Sequence, residues 1–321
     1  MSNEKSTPEE GAVATLPEPA ARSADESAHD RGPCVVFATN GSAESDAALR
    51  FAVSLAERNE LALRVLTVLE PMPALPAQPS GAQYHMAVEV ERGEQILDRI
   101  RPELSRLHEH RRAVTSMLVG APGPTIAEAA SAWNAKYIVL GAGRHSRLER
   151  FLAGETVVRV LRHAGVPVIA VPQGCGELPR NGLVALDFGP ASIAAAHAAA
   201  SIIDAGVLHL VHVRPEVDVP ATDPSAWSEI YESGARDVMA RLGRDLREEH
   251  FGIHVERTLA EGHPAEALLA HAEQFGADLI AVGQHSHGTV ERLLFGSVAQ
   301  AIVRAAQCAV LIAPVALDTV Q

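Results

Sequence analysis

One stretch of the sequence has residue types suited to holding a phosphate: Gly283, Ser286, Gly296, Ser297 and Val298. A Gly-Ser pair opening the amphipathic run SVAQAIVRAA brings unpaired backbone N–H groups to the positive end of a helix dipole, and the glycine leaves room for an anion to approach. The same residues have a plainer structural reading, with Ser297 as a helix cap and the glycines as turn residues. Asp187 closes the apolar run LVALD, where a carboxylate either meets a ligand or caps its own turn. His285 and His287 lie in the same loop without a carboxylate or cysteine at ligand spacing, so they read as solvated side chains and no metal ligand is expected there. Catalytic signatures are missing: the chain has no GxSxG, GxxxxGK[ST] or HExxH pattern, and no catalytic residue is expected.

These residues need a scaffold, and the sequence describes one by alternating strand and helix patterns. LVALD is followed by an Ala-rich helical stretch over Ser192–Ala205, the strand VLHLVHV ending at Val213, and a long helix over Asp223–His250. The strand GIHVERTL, a helix over Pro264–Phe275, the strand ADLIAVG, a helix over Ser297–Ala306 and the strand CAVLIA complete the unit. Alternation at this spacing predicts an α/β fold with a doubly wound parallel sheet of five strands. In strand order 3-2-1-4-5, the ligand crevice lies where the winding reverses, between strands 1 and 4, so Asp187 would face the loop from Gly283 to Ser297.

The unit occurs twice. YIVLGAGRHSRLERFLAGETVVRVLRHAGVPVIAVP, from Tyr137, aligns without gaps on LIAVGQHSHGTVERLLFGSVAQAIVRAAQCAVLIAP, from Leu279, at a constant offset of 142 residues. The first copy has strands CVVFAT, ALRVLTVL, AVTSMLV, KYIVLG and VPVIAV. We therefore read an acidic tail over 1–31 too poor in apolar periodicity to order, a first domain over 32–173, a linker over 174–182 and a second domain over 183–316.

The glycine spacing of the second copy resembles the universal stress protein family, of the UspA-like type. Nucleotide-binding members carry Gly, two residues, Gly, nine residues, Gly and then Ser or Thr. Here Gly283, Gly296 and Ser297 match, and Ser286 replaces the second glycine. The resemblance covers nearly all of 33–314 and implies two tandem adenine nucleotide alpha hydrolase-like domains. It also implies ATP or AMP as ligand, with or without Mg2+, and it assigns Asp187 and Val213 to the adenosine moiety. The first copy departs from the pattern: Arg144 replaces the second glycine, Glu155 replaces Ser or Thr, and Asn40 replaces the acidic residue. A carboxylate at a helix start is favoured by the dipole that would otherwise hold phosphate, so the first site is expected to be degenerate.

The family's usual dimer edge is the last strand, so VPVIAV and CAVLIA are expected to pair within the chain. Two short apolar edge strands need such cover, and the pairing leaves room for a homodimer as well. The function implied is a nucleotide-responsive stress signalling module; a nucleotide-free interaction scaffold and a slow ATPase are the alternatives. The net charge of −13 disfavours nucleic acid. The lack of a long apolar run disfavours membrane insertion, and three scattered cysteines, Cys34, Cys175 and Cys308, fit a reducing cytoplasmic setting.

Overall fold

The structure is a computed structural model that describes residues 32–70, 79–104, 113–142, 155–203, 205–214, 224–284 and 296–314. The tail over 1–31 and the positions Arg144, Gly154, His285, Ser286 and His287 lie outside the described residues. The first copy comprises β1 (Cys34–Ala38), α1 (Ser45–Arg58), β2 (Ala62–Leu69), α2 (Pro79–Leu104), β3 (Ala113–Val119), α3 (Pro122–Ala132), β4 (Ala135–Ala142), α4 (Glu155–Leu161) and β5 (Val168–Pro172). The second comprises β6 (Asn181–Leu186), α5 (Pro190–Ile202), β7 (Val207–Arg214), α6 (Pro224–Glu249), β8 (His254–Glu261), α7 (Pro264–Phe275), β9 (Leu279–Gly283), α8 (Ser297–Ala305) and β10 (Ala309–Ala313).

The alternation of side chains along each strand feeds two apolar layers. Val35 and Phe37 of β1 point to one face, where they pack with α1, α2, α5 and α6. Cys34, Val36 and Ala38 point to the other, covered by α3, α4, α7 and α8. Strands buried on both faces must be apolar throughout, which is why β1, β5 and β10 are buried at every position.

Within each copy the strand order is 3-2-1-4-5, as the sequence predicts. The expectation of two separate sheets is corrected: the order β3-β2-β1-β4-β5-β10-β9-β6-β7-β8 runs through one continuous sheet of ten strands. The cause is the antiparallel pairing of β5 with β10, in which Ile169 faces Leu311, Val168 faces Ile312 and Ala170 faces Val310. Ile169 and Leu311 are equivalent under the 142-residue offset, so a local two-fold axis passes between them. All other neighbouring strands are parallel.

The connection between copies leaves β5 and enters β6, stepping past β10 and β9. Three strand spacings amount to roughly 14 Å, well within the reach of the intervening residues. β6 starts two residues before the apolar run LVALD, because Asn181 and Gly182 continue the ladder opposite Val207 and Leu208. Asp278 fastens that point: its Oδ2 accepts from the backbone N–H groups of Arg180 and Asn181, each at 3.2 Å.

Candidate functional site

Asp187 follows β6 directly, and its Oδ1 accepts the N–H of Gly189 at 2.8 Å. The Asp187 N–H donates to Ser192 Oγ at 3.3 Å, and that hydroxyl donates to Gly189 O at 3.0 Å. The turn is thus closed by its own side chains before α5 begins. The first copy repeats it: Asn40 Oδ1 accepts the N–H of Ser42 at 3.0 Å. Capping a turn is therefore one established role of Asp187, and it occupies one carboxylate oxygen.

Between these residues the backbone turns left-handed, at Phe188 with φ 65° and at Gly41 with φ 75°. Glycine adopts that conformation freely, whereas Phe188 adopts it against its side chain. The Phe188 ring lies 4.3 Å from the ring of His212. His212 is buried near the end of β7, donating from Nδ1 to Leu186 O at 2.7 Å. Its Nε2 then accepts from the Tyr231 hydroxyl at 2.5 Å. Leu186 and His212 are the last paired positions of β6 and β7, so Asp187 and Val213 sit one step beyond, at the same end of adjacent strands.

Gly283 ends β9 next to this turn. A Cβ there would lie 2.8 Å from the Ala191 carbonyl carbon and from the Ser192 nitrogen, so only glycine lets α5 approach β9 this closely. Gly283 therefore has a packing duty, and that duty sets the end of β9 beside the start of α5 and the Asp187 turn that precedes it.

Gly296 precedes α8 with φ −59° and ψ 140°, a conformation open to any residue. Its N–H donates to Gln284 O at 3.0 Å, and its carbonyl accepts the Gln300 N–H at 2.9 Å. Ser297 is exposed, Val298 is half-buried, and among the described residues no side chain caps α8. The capping role that Ser297 could have filled is thus not the one its hydroxyl performs, and the first amides of α8 lack intrahelical partners. Arg214, beyond Val213, is committed to Glu261 and lies 4.0 Å from Glu232.

Asp187, Val213 and Gly283 are accordingly brought to the same end of three neighbouring strands, with Gly296 tied back to Gln284 at the end of β9. Sequence reasoning missed Phe188, Ser192, His212 and Tyr231. Ser192 could have been found from the repeat, since Ser45 and Ser192 stand at the same offset as Asn40 and Asp187. A histidine inside the apolar run VLHLVHV was the available signal for His212.

Fold and strand order together define a tandem doubly wound α/β protein whose candidate site lies at a strand switch point. The sequence model of the universal stress protein family matches residues 34–172 and again 180–314. The chain belongs to that family. It is 28% identical over 293 residues to a universal stress protein of Mycolicibacterium smegmatis, covering 87% of this chain and 96% of the relative. A universal stress protein of Mycobacterium tuberculosis is 28% identical over 288 residues, with the same coverage of 87% and 96%. Among solved structures, a universal stress protein from Archaeoglobus fulgidus superposes with a TM-score of 0.67 at 21% identity, covering 88% of this chain and 98% of its own, a likeness of fold. Among the described residues, no helix is long and apolar enough to cross a membrane.

Proposed function

We propose that this chain binds one adenine nucleotide, ATP or AMP, in the crevice of its second copy and serves as a cytoplasmic stress-response signalling module. The observation that carries this reading is the convergence of Asp187, Val213 and Gly283 at the switch point, with the start of α8, uncapped among the described residues, close by through Gly296 and Gln284. The phosphates would meet the amides of Ser297 and Val298, together with Ser286, and the adenosine would lie against Asp187 and Val213. Asp187 keeps its turn through Oδ1, which leaves Oδ2 as the oxygen for a ribose hydroxyl. Binding rather than hydrolysis is favoured, because phosphoryl transfer needs cations aimed at the developing charge and Arg214 is already held by carboxylates. Mg2+ would accompany the phosphates of ATP.

Calorimetry with ATP and AMP on the full chain tests this. One nucleotide per chain is expected. Ser297→Glu should weaken it by about tenfold or more through like-charge repulsion, without unfolding α8, since an acidic residue suits a helix start. Two nucleotides per chain would show that the first copy is competent despite Arg144 and Glu155. Undetectable binding would favour the scaffold.

A further inference from the structure

The C-terminal ends of three helices meet where the two copies adjoin. α1 ends at Arg58, α5 at Ile202 and α6 at Glu249. Arg58 Nη2 of the first copy donates to Ile203 O of the second at 2.8 Å. A cleft of about 420 Å³ lies there, lined among others by Arg58, Asn59, Ser201, Glu249, His250 and Phe251. At this seam, His197 Nδ1 on α5 lies 2.8 Å from Glu249 Oε2, and His250 Nε2 lies 4.0 Å from the same oxygen. One donor atom from each of the three residues falls within 4.8 Å of the others.

We propose that His197, Glu249 and His250 form a binding site for a divalent transition-metal ion of the zinc class. The donors would be His197 Nδ1, one Glu249 carboxylate oxygen and His250 Nε2. Two imidazoles and a carboxylate suit Zn2+ and its neighbours, whereas Mg2+ and Ca2+ want oxygen throughout. Bonds of about 2.1 Å in a tetrahedron put ligand atoms roughly 3.4 Å apart. The observed 2.8 and 4.0 Å bracket that separation, so small side-chain rotations close the site.

One further feature favours a cation. Helix C-terminal ends carry partial negative charge, and here three converge. The Arg58 guanidinium, hydrogen-bonded to the Ile203 carbonyl, is the opposing charge nearby. The three side chains keep 36%, 54% and 25% of their surface exposed, which gives an ion a path in from solvent. Three protein ligands leave a fourth position for water. The bound ion would clip the end of α6 to α5 across 52 residues of sequence.

The test is a titration of the untagged full chain with Co2+, followed by displacement with Zn2+. One ion per chain is expected, with weak visible bands of nitrogen and oxygen coordination and no thiolate charge-transfer band. His197→Ala and Glu249→Gln should each weaken Zn2+ binding by about tenfold or more, with folding checked by circular dichroism. Glu249→Gln retains the shape of the side chain and so tests the ligand rather than the packing. His285→Ala with His287→Ala should leave affinity unchanged. Absence of stoichiometric binding, a thiolate band, or unchanged affinity in His197→Ala and Glu249→Gln would overturn the proposal and leave the cluster as an ion pair only.

Discussion

Phe188 holds a left-handed backbone that its counterpart Gly41 adopts without strain, at a cost of about 1 kcal/mol offset by packing on His212. Another histidine of the same strand has a consequence for pH. His209 donates from Nε2 to Asn181 Oδ1 at 2.9 Å and stacks on Phe275. Its Nδ1 lies 3.2 Å from Glu256 but outside hydrogen-bond geometry, a contact that becomes an ion pair only on protonation. Burial lowers the His209 pKa, Glu256 opposes that shift, and His254 adds to it. Below the ordinary value of 6.5 the unfolded chain therefore binds more protons than the folded one. Stability at this group is undiminished above pH 6.5, declines as pH falls through that value, and levels off below the folded pKa. His209→Gln should flatten the fall in melting temperature between about pH 7 and pH 5; an unchanged slope would place the acid sensitivity elsewhere. At this scale the sequence singled out Asp187 and Gly283 as candidates through a strand end and the spacing of glycines, and the family resemblance added Val213. The sequence could not disclose that Gly283 is needed for the approach of α5, because the clash involves the backbone of Ala191 and Ser192, about ninety residues away in sequence.

Among the elements, β5 and β10 carry the greatest consequence, since their pairing turns two sheets into one. Ile169 and Leu311 oppose each other and are completely buried. Ile169→Ala and Leu311→Ala should each cost about 2 to 5 kcal/mol in urea unfolding. The double variant should cost less than their sum, because the two cavities share one wall. Additive losses would mean that the residues are energetically independent despite facing each other. Most strand and helix positions were legible, since apolar runs and helical periodicity are local signals; β2, β3 and α7 fall at their expected boundaries. The single sheet was less legible. Two short apolar edge strands require cover, but sequence alone does not distinguish packing side by side from a shared ladder of hydrogen bonds. The His197, Glu249 and His250 cluster was hidden for a similar reason, as it joins α5 to the end of α6 and matches no short spacing.

For the molecule as a whole, contacts between the copies extend past the strand ladder. Gln284 Nε2 donates to Leu161 O at 2.8 Å, Tyr137 hydroxyl lies 2.5 Å from Ser201 Oγ, and Arg58 reaches Ile203. Burial raises the Tyr137 pKa, so the phenol stays protonated and donates, while Ser201 donates onward to Ala198 O. A fragment confined to 180–314 loses all of these and exposes the β10 edge. It should assemble into homodimers or larger species through β10, read by light scattering, whereas a stable monomer would show that the edge needs no partner. The local two-fold axis between Ile169 and Leu311 also changes what variation can do. In an assembly of identical chains every substitution is written twice, so a residue at the axis always meets itself and a lost site is lost on both sides. Here each side of the axis is encoded separately: isoleucine can answer leucine, Gly41 can stand where the other half has Phe188, and one crevice is free to decay while the other is kept.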